Sequence, residues 1–200
     1  MANRNRTRTA GAAAAAAALV FSAATLVAAA PVPSAAAAVA APKVSVLGGE
    51  GAYRVEGSFR VETPLPVAWA VLTDYDHLSS FVSSMRSSMS YRDESGRRLV
   101  VQKAVGRAGP FSRTLHVILE VTEQPPGQIA FRDVCGGSFV SYEGAWTIDD
   151  SGGGVLVTYV LDARPRSSPP FFARSILASN ARGLLEEVRR EMQRRGRTAS

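Results

Sequence analysis

From Met85 to about residue 163 the sequence falls into six short segments. Turn-forming clusters separate them: Ser95-Gly96, Gly109-Pro110, Pro125-Pro126-Gly127, Gly136-Gly137 and Ser151-Gly152-Gly153-Gly154. The segments near 86–93, 97–106, 111–123, 128–135, 138–149 and 154–163 predict strands. Connections this short leave no room for a crossover helix, so consecutive strands run antiparallel. Upstream, Tyr53 to Glu62 alternates apolar and charged residues over ten positions, the period of a strand with one buried face. A seven-stranded antiparallel sheet results. The βαβ alternation of nucleotide-binding folds is excluded.

Helices interrupt this sheet at two points. After the first strand, Thr63 offers a cap, and Pro64 and Pro66 are tolerated where early helical N–H groups lack partners, so 64–72 predicts a short helix. Asp76 caps a second short helix through Phe81-Val82. At the other end, Ser167-Ser168-Pro169-Pro170 starts a charged amphipathic helix to about Arg195. Its stripe, Leu177, Ala181, Leu184, Val188 and Met192, recurs at intervals of three and four. At 1.5 Å per residue this helix is roughly 38 Å long, sufficient to cross a sheet. Gly183 in its middle points to close approach by another element. This order of elements is that of an α+β helix-grip fold, a sheet curled around one helix with a cavity between.

The first 42 residues stand apart. They hold 20 alanines, and no charged residue occurs between Arg8 and Lys43. Arg4, Arg6 and Arg8 followed by an uncharged stretch to Ala30 have the layout of a secretory signal. Small-residue cleavage patterns at Ala36-Ala37-Ala38 and Ala38-Val39-Ala40 place the mature start between about 37 and 43. Residues 1–42 are therefore read as a leader and 43–200 as one domain, exported to a periplasmic or extracellular space. An uncleaved anchor is the alternative. The net charge of +6 then loses its leader arginines. Residues 43–170 carry 13 basic and 14 acidic groups, and residues 171–200 carry 7 and 3. The basic excess belongs to the last helix, and the strands show no basic face with stacking aromatics, so nucleic acid is not an expected partner.

Four segments carry a resemblance. Val67-Ala68-Trp69-Ala70-Val71-Leu72-Thr73-Asp74-Tyr75-Asp76-His77-Leu78 resembles the helical opening of the START-like polyketide cyclase/dehydrase superfamily (SRPBCC), which includes coenzyme Q-binding proteins. Residues 121–132, Tyr142-Glu143-Gly144-Ala145-Trp146 and Leu156-Val157-Thr158-Tyr159 resemble it too, and the likeness spans about residues 50–195. It implies a hydrophobic ligand pocket under the last helix, used in different relatives for lipids, isoprenoid quinones or aromatic polyketides. No universal catalytic motif comes with it.

Alternation proposes the pocket's walls. Leu115, Val117, Phe131, Tyr142, Trp146 and Tyr159 face inward on their strands, and Leu177 and Leu184 face them from the helix. Phe81, Met85 and Met89 gather where the second short helix meets the next strand, a corner whose flexible thioethers suit a cavity mouth. Arg113 shares parity with Leu115 and Asp133 with Phe131. Tyr142 and Tyr159 offer hydrogen bonds to a carbonyl or quinone oxygen. A hydrophobic small molecule is the expected partner, with no cofactor and no metal. A cyclase or dehydratase using Tyr142, Tyr159, Arg113 or Asp133 to polarise a carbonyl is the alternative from the enzyme class.

The remaining polar features are weaker. His77 with Asp74 and Asp76 is the nearest approach to a metal-ligand cluster, but two histidines in the whole chain and carboxylates in a capping turn make a poor ligand set. His116 has the solvent-facing parity. Cys135, the only cysteine, reads as a small buried residue at a strand end. Arg189, Arg190, Arg194, Arg195 and Arg197 either complement the helix C-terminus and pair with Glu186 and Glu191, or dock the protein on an anionic membrane.

Overall fold

The computed structural model describes residues 40–108, 111–166 and 170–199. Residues 1–39, where the predicted leader falls, the predicted turn at Gly109-Pro110, Ser167-Ser168-Pro169 and Ser200 lie outside the described residues. In chain order come β1 (Lys43–Gly49), β2 (Ala52–Val61), α1 (Leu65–Leu72), a single 3-10 turn (Tyr75–His77), α2 (Leu78–Phe81) and β3 (Met85–Arg92). Then follow β4 (Arg98–Ala108), β5 (Phe111–Gln124), β6 (Gln128–Asp133), β7 (Phe139–Asp150), β8 (Val155–Pro165) and α3 (Pro170–Thr198). All eight strands join one antiparallel sheet in the order β1-β2-β8-β7-β6-β5-β4-β3. The long α3 packs on β1 and β2 at one flank and on β4 at the other, so the sheet curls around the helix. This is the expected helix-grip fold.

The sheet has eight strands where the sequence predicts seven. The additional β1 pairs with β2 from Lys43↔Ser58 to Gly49↔Ala52. Glu50 and Gly51 close the hairpin with φ of 52° and 86°, the pair of left-handed residues that a two-residue primed turn requires. β1 escapes detection because it is an edge strand: only Val46 is buried along it. Its Gly48-Gly49 end also reads as loop.

Burial follows the predicted faces. Tyr53, Val55, Phe59 and Val61 of β2 are buried, as are Val117, Leu119 and Val121 of β5 and Val157, Tyr159 and Leu161 of β8. From α3, Leu185, Val188 and Met192 fill the same core. Leu185 is fully buried because Gly57 faces it; a Cβ on Gly57 would collide with the Leu185 side chain. Near the other end of α3, a Cβ on Gly196 would meet Thr63 Oγ1 at 2.5 Å.

Local expectations are corrected at four places. Thr63 does not cap α1; its hydroxyl is buried and donates to the Met192 carbonyl at 3.4 Å. Asp76 caps nothing; it accepts from the Ser90 N–H at 2.6 Å and the Ser90 hydroxyl at 3.1 Å, tying the turn to β3. Cys135 is exposed, because β6 ends two residues earlier at Asp133. Gly183 is exposed with nothing within 4 Å of the place a Cβ would take, so no element approaches it.

Candidate functional site

Between the concave face of the sheet and α3 lies an apolar cavity of about 90 Å³. Its far wall is Leu184 and Val188 of α3, and the corner joining α1 to α2 contributes Leu72, Tyr75 and Leu78. The sheet side is aromatic. Phe131 from β6, Tyr142 and Trp146 from β7 and Tyr159 from β8 meet there because inward positions on neighbouring strands face one another in register, as Trp146↔Tyr159 does. Ring centroids are 4.5 Å apart for Trp146 and Tyr159, 5.9 Å for Phe131 and Tyr142, and 6.2 Å for Phe131 and Tyr159. These separations fall in the attractive range for tilted and offset aromatic pairs. Gly144, opposite Phe131 in the register, makes the box possible: a Cβ there would strike the Val160 carbonyl and come within 2.8 Å of the Phe131 ring.

Two hydroxyls are the polar feature of this aromatic wall. Those of Tyr142 and Tyr159 lie close enough to perturb one another, and burial pushes both phenols up from their ordinary value. Either hydroxyl can donate to a ligand oxygen. At the cavity's other side, the Tyr75 hydroxyl donates to Glu123 Oε1 at 2.9 Å, and burial together with that bond raises its pKa. Among the described residues, no Asp, Glu, His, Lys, Arg or Cys lines this cavity.

A second apolar space of about 70 Å³ lies under the first half of α3. Leu115, Phe139, Ile176 and Leu177 line it, with Arg113 at its edge. The two spaces divide the sequence-predicted residues. Phe131, Tyr142, Trp146, Tyr159 and Leu184 line the first, while Arg113, Leu115 and Leu177 line the second. Val117 is buried in the core but lines neither. Phe81 lies under the Arg195 guanidinium, 5.7 Å from its ring centroid, and Met85 packs on the core edge.

Met89 is a correction. It is 59% exposed, on the outer face, while Ser88 is buried. A register shift between Met85 and Ser87 inserts an extra residue and reverses the parity that would have placed Met85 and Met89 on one side. Asp133 is also withdrawn from the cavity. Its carboxylate accepts the N–H groups of Ile118, Cys135 and Gly136 at 3.0, 3.2 and 3.1 Å and serves to shape the β6–β7 turn. Tyr75 and Gln102 are lining residues that the strand and helix patterns did not single out. For Tyr75 the signal was its place beside the second helix start; Gln102 is polar at a position of apolar parity and left none.

The Asp74-Tyr75-Asp76-His77 turn is a latch. His77 Nδ1 lies 2.6 Å from Asp74 Oδ1, and Arg195 Nη2 of α3 donates to Asp74 Oδ2 at 2.7 Å. Burial opposes ionisation of Asp74, but the bonds from His77 and Arg195 outweigh it and hold the carboxyl below its usual range. The arginines of α3 are largely engaged within the protein. Arg189 and Arg190 pair with Glu186, and Arg194 and Arg195 with Glu191. No helix among the described residues is long and apolar enough to cross a membrane.

Comparison with known proteins agrees with this architecture. The family profile described as polyketide cyclase / dehydrase and lipid transport matches residues 52–195. No curated protein matches the chain. Among solved structures, the STAR-related lipid transfer protein fragment from Xanthomonas axonopodis is similar with a TM-score of 0.59 and 20% identity, over 76% of this chain and 93% of that one. The Zhui aromatase/cyclase from Streptomyces sp. R1128 is similar with a TM-score of 0.61 and 18% identity, over 74% of this chain and 98% of that one. The di-domain ARO/CYC StfQ of the steffimycin biosynthetic pathway has a TM-score of 0.58 and 12% identity over 72% of this chain. The chain spans 51% of StfQ's length.

Proposed function

The chain belongs to the polyketide cyclase/dehydrase and lipid transport family, and from that premise we propose that it is an exported protein that binds a hydrophobic small molecule, a lipid, isoprenoid or quinone, between its sheet and α3 without transforming it. The observation that carries this reading is the aromatic cavity whose lining, among the described residues, holds the Tyr142 and Tyr159 hydroxyls and no Asp, Glu, His, Lys, Arg or Cys side chain. Such a lining binds by burial. Enclosing about 300 Å² of apolar ligand surface yields roughly 7 kcal/mol before ordering costs. A ligand carbonyl or quinone oxygen would accept a hydrogen bond from the Tyr142 or Tyr159 hydroxyl, both of which line the cavity.

The cavity's size adds a condition. Pockets for drug-sized ligands span about 300–1,000 Å³, so a space of about 90 Å³ has to widen to admit a lipid. Displacement of α3 from the α1–α2 corner is the route this reading favours, because Leu184, Val188, Leu72 and Leu78 close the cavity from that side. Export rests on the layout of the first 42 residues. Native mass spectrometry of the full-length chain expressed in an exporting host tests both parts. The expected result is a chain beginning between residues 37 and 43 that carries a non-covalent small molecule. A chain retaining its leader would contradict export with cleavage. A ligand-free chain that takes up no lipid or quinone would contradict binding.

The tyrosine pair also supports a second reading, in which the same hydroxyls polarise a carbonyl for cyclisation or dehydration of an aromatic or polyketide-like substrate. Product formation on such a substrate, lost on Tyr142→Phe, is its test. A third reading is peripheral contact with an anionic membrane through the arginine-rich end of α3; it requires salt-sensitive binding to anionic vesicles.

A further inference from the structure

We infer that the ligand is an amphiphile whose head carries hydroxyl or amine donors, seated in a polar cleft on the flank of α3 while its chain enters the apolar space beneath the helix. The inference rests on the hydrophobic-ligand reading above and adds a second subsite to it. The cleft, of about 330 Å³, lies between the α2–β3 connection, the end of β4 and the middle of α3. Ser83 and Ser84 line one side, and Ser179, Asn180, Gly183 and Glu187 line the other. These groups suit a small polar head, while the spaces directly under α3 are apolar.

Cleft and apolar space share one wall. Asn180 lines both the polar cleft and the second apolar cavity. It packs close to β4, where a Cβ added to Gly106 would lie 3.2 Å from Asn180 Nδ2. Among the described residues no hydrogen bond holds the Asn180 amide, so rotation of this one side chain opens the cleft to the cavity. Gly183 keeps the outer part of the cleft clear, because it presents no side chain and nothing lies within 4 Å of its Cβ direction. This accounts for a glycine in mid-helix where close packing does not.

The charge of the cleft selects the head. Among the described residues Glu187 is the one charged side chain lining it, and its Oε2 accepts the Ser83 N–H at 3.0 Å, leaving Oε1 as an acceptor. A carboxylate flanked by serines accepts hydrogen bonds from hydroxyl or ammonium groups and repels phosphate, sulfate or carboxylate heads. A glycerol ester, a sugar-bearing chain or a long-chain amine fits; a free fatty acid does not.

Displacement of the fluorescent apolar dye N-phenyl-1-naphthylamine by chain-matched amphiphiles tests this. On the wild-type protein, 1-decanoylglycerol or decylamine should displace the dye at concentrations at least about tenfold below those of decanoate, the factor expected of hydrogen bonds to a charged group. The two favoured probes separate a hydroxyl head from an amine head. Glu187→Gln should reduce the preference over decanoate to below about threefold, since it removes the repulsion and the charged acceptor together. Gly183→Leu, which fills the cleft at an exposed helical position that tolerates a side chain, should weaken 1-decanoylglycerol about tenfold and leave dye binding unchanged. Equal displacement by all three amphiphiles, or insensitivity to both substitutions while the dye still binds, overturns the inference. A wild-type protein that takes up neither dye nor amphiphile overturns the hydrophobic-ligand reading itself.

Discussion

Removing either hydroxyl of the Tyr142 and Tyr159 pair leaves the other without its neighbour inside an aromatic box, whereas removing both leaves nothing to satisfy. An unpaired buried donor costs about 1–3 kcal/mol, while replacing both partners by apolar groups of the same shape is close to neutral. Chemical denaturation of Tyr142→Phe, Tyr159→Phe and the double variant should therefore show both single variants destabilised and the double variant more stable than the sum of the two single losses. Strict additivity would show that the hydroxyls are not coupled. At this scale the sequence was partly legible. Period-2 alternation placed Phe131, Tyr142, Trp146 and Tyr159 on the inward face, because parity survives wherever a strand is regular. Met89 was misplaced because the register shift after Met85 has no composition signature. Gly183 was misread because a helical glycine signals either close packing or open space, and its surroundings in the fold, with nothing within 4 Å of a Cβ, show the second.

Elements are held together by charge as well as apolar packing. On the outer face of the sheet, one register row runs Glu120↔Arg132↔Glu143↔Asp162↔Arg54 across β5, β6, β7, β8 and β2. Arg132 bonds Glu120 and Arg54 bonds Asp162, at 2.8 Å each. Glu143 and Asp162 stand directly opposite as like charges. Glu143→Gln should stabilise the fold by about 0.2–1 kcal/mol at low salt, with the gain shrinking as salt is added; an unchanged or lowered midpoint of urea unfolding would refute this. The ion pairs of α3 have the opposite sign and a pH signature. The Arg189 bond lowers the pKa of Glu186, the Arg194 bond lowers that of Glu191, and Asp74 is lowered by His77 and Arg195 against its burial. Groups with depressed native pKa values contribute stability that is present above their unfolded values, near 4, and is lost as pH falls through the lower native values. The melting temperature should fall steeply below about pH 4, and Asp74→Asn should lower it at pH 7 while flattening the acid limb. Parallel acid limbs in wild type and variant would remove Asp74 from the latch. Helix order and the last helix were readable because long amphipathic periodicity is robust. The edge strand β1 was not, since an edge strand with one buried residue carries almost no pattern.

For the whole molecule, the fold order followed from turn spacing alone, while the size and division of the interior did not. Nothing in an alternating pattern states how far α3 stands from the sheet. The glycines that set this distance, Gly57 under Leu185 and Gly106 beside Asn180, act through contacts remote in sequence. The interior that results is small, aromatic and closed by Leu184 and Val188, which makes occupancy by an apolar ligand and movement of α3 parts of one claim. A ligand that binds only the native state raises stability by about 2.7 kcal/mol at one hundred times its Kd, so occupancy and thermal stability should rise together. Native mass spectrometry of the wild-type protein beside Leu184→Trp, whose larger ring fills the cavity from the helix side, tests this most directly. The expected result is a non-covalent small molecule on the wild type, and a folded Leu184→Trp variant stripped of it. Equal occupancy of both proteins would place the ligand elsewhere, and an empty wild type that stays empty when offered lipids and quinones would contradict the cavity's role altogether.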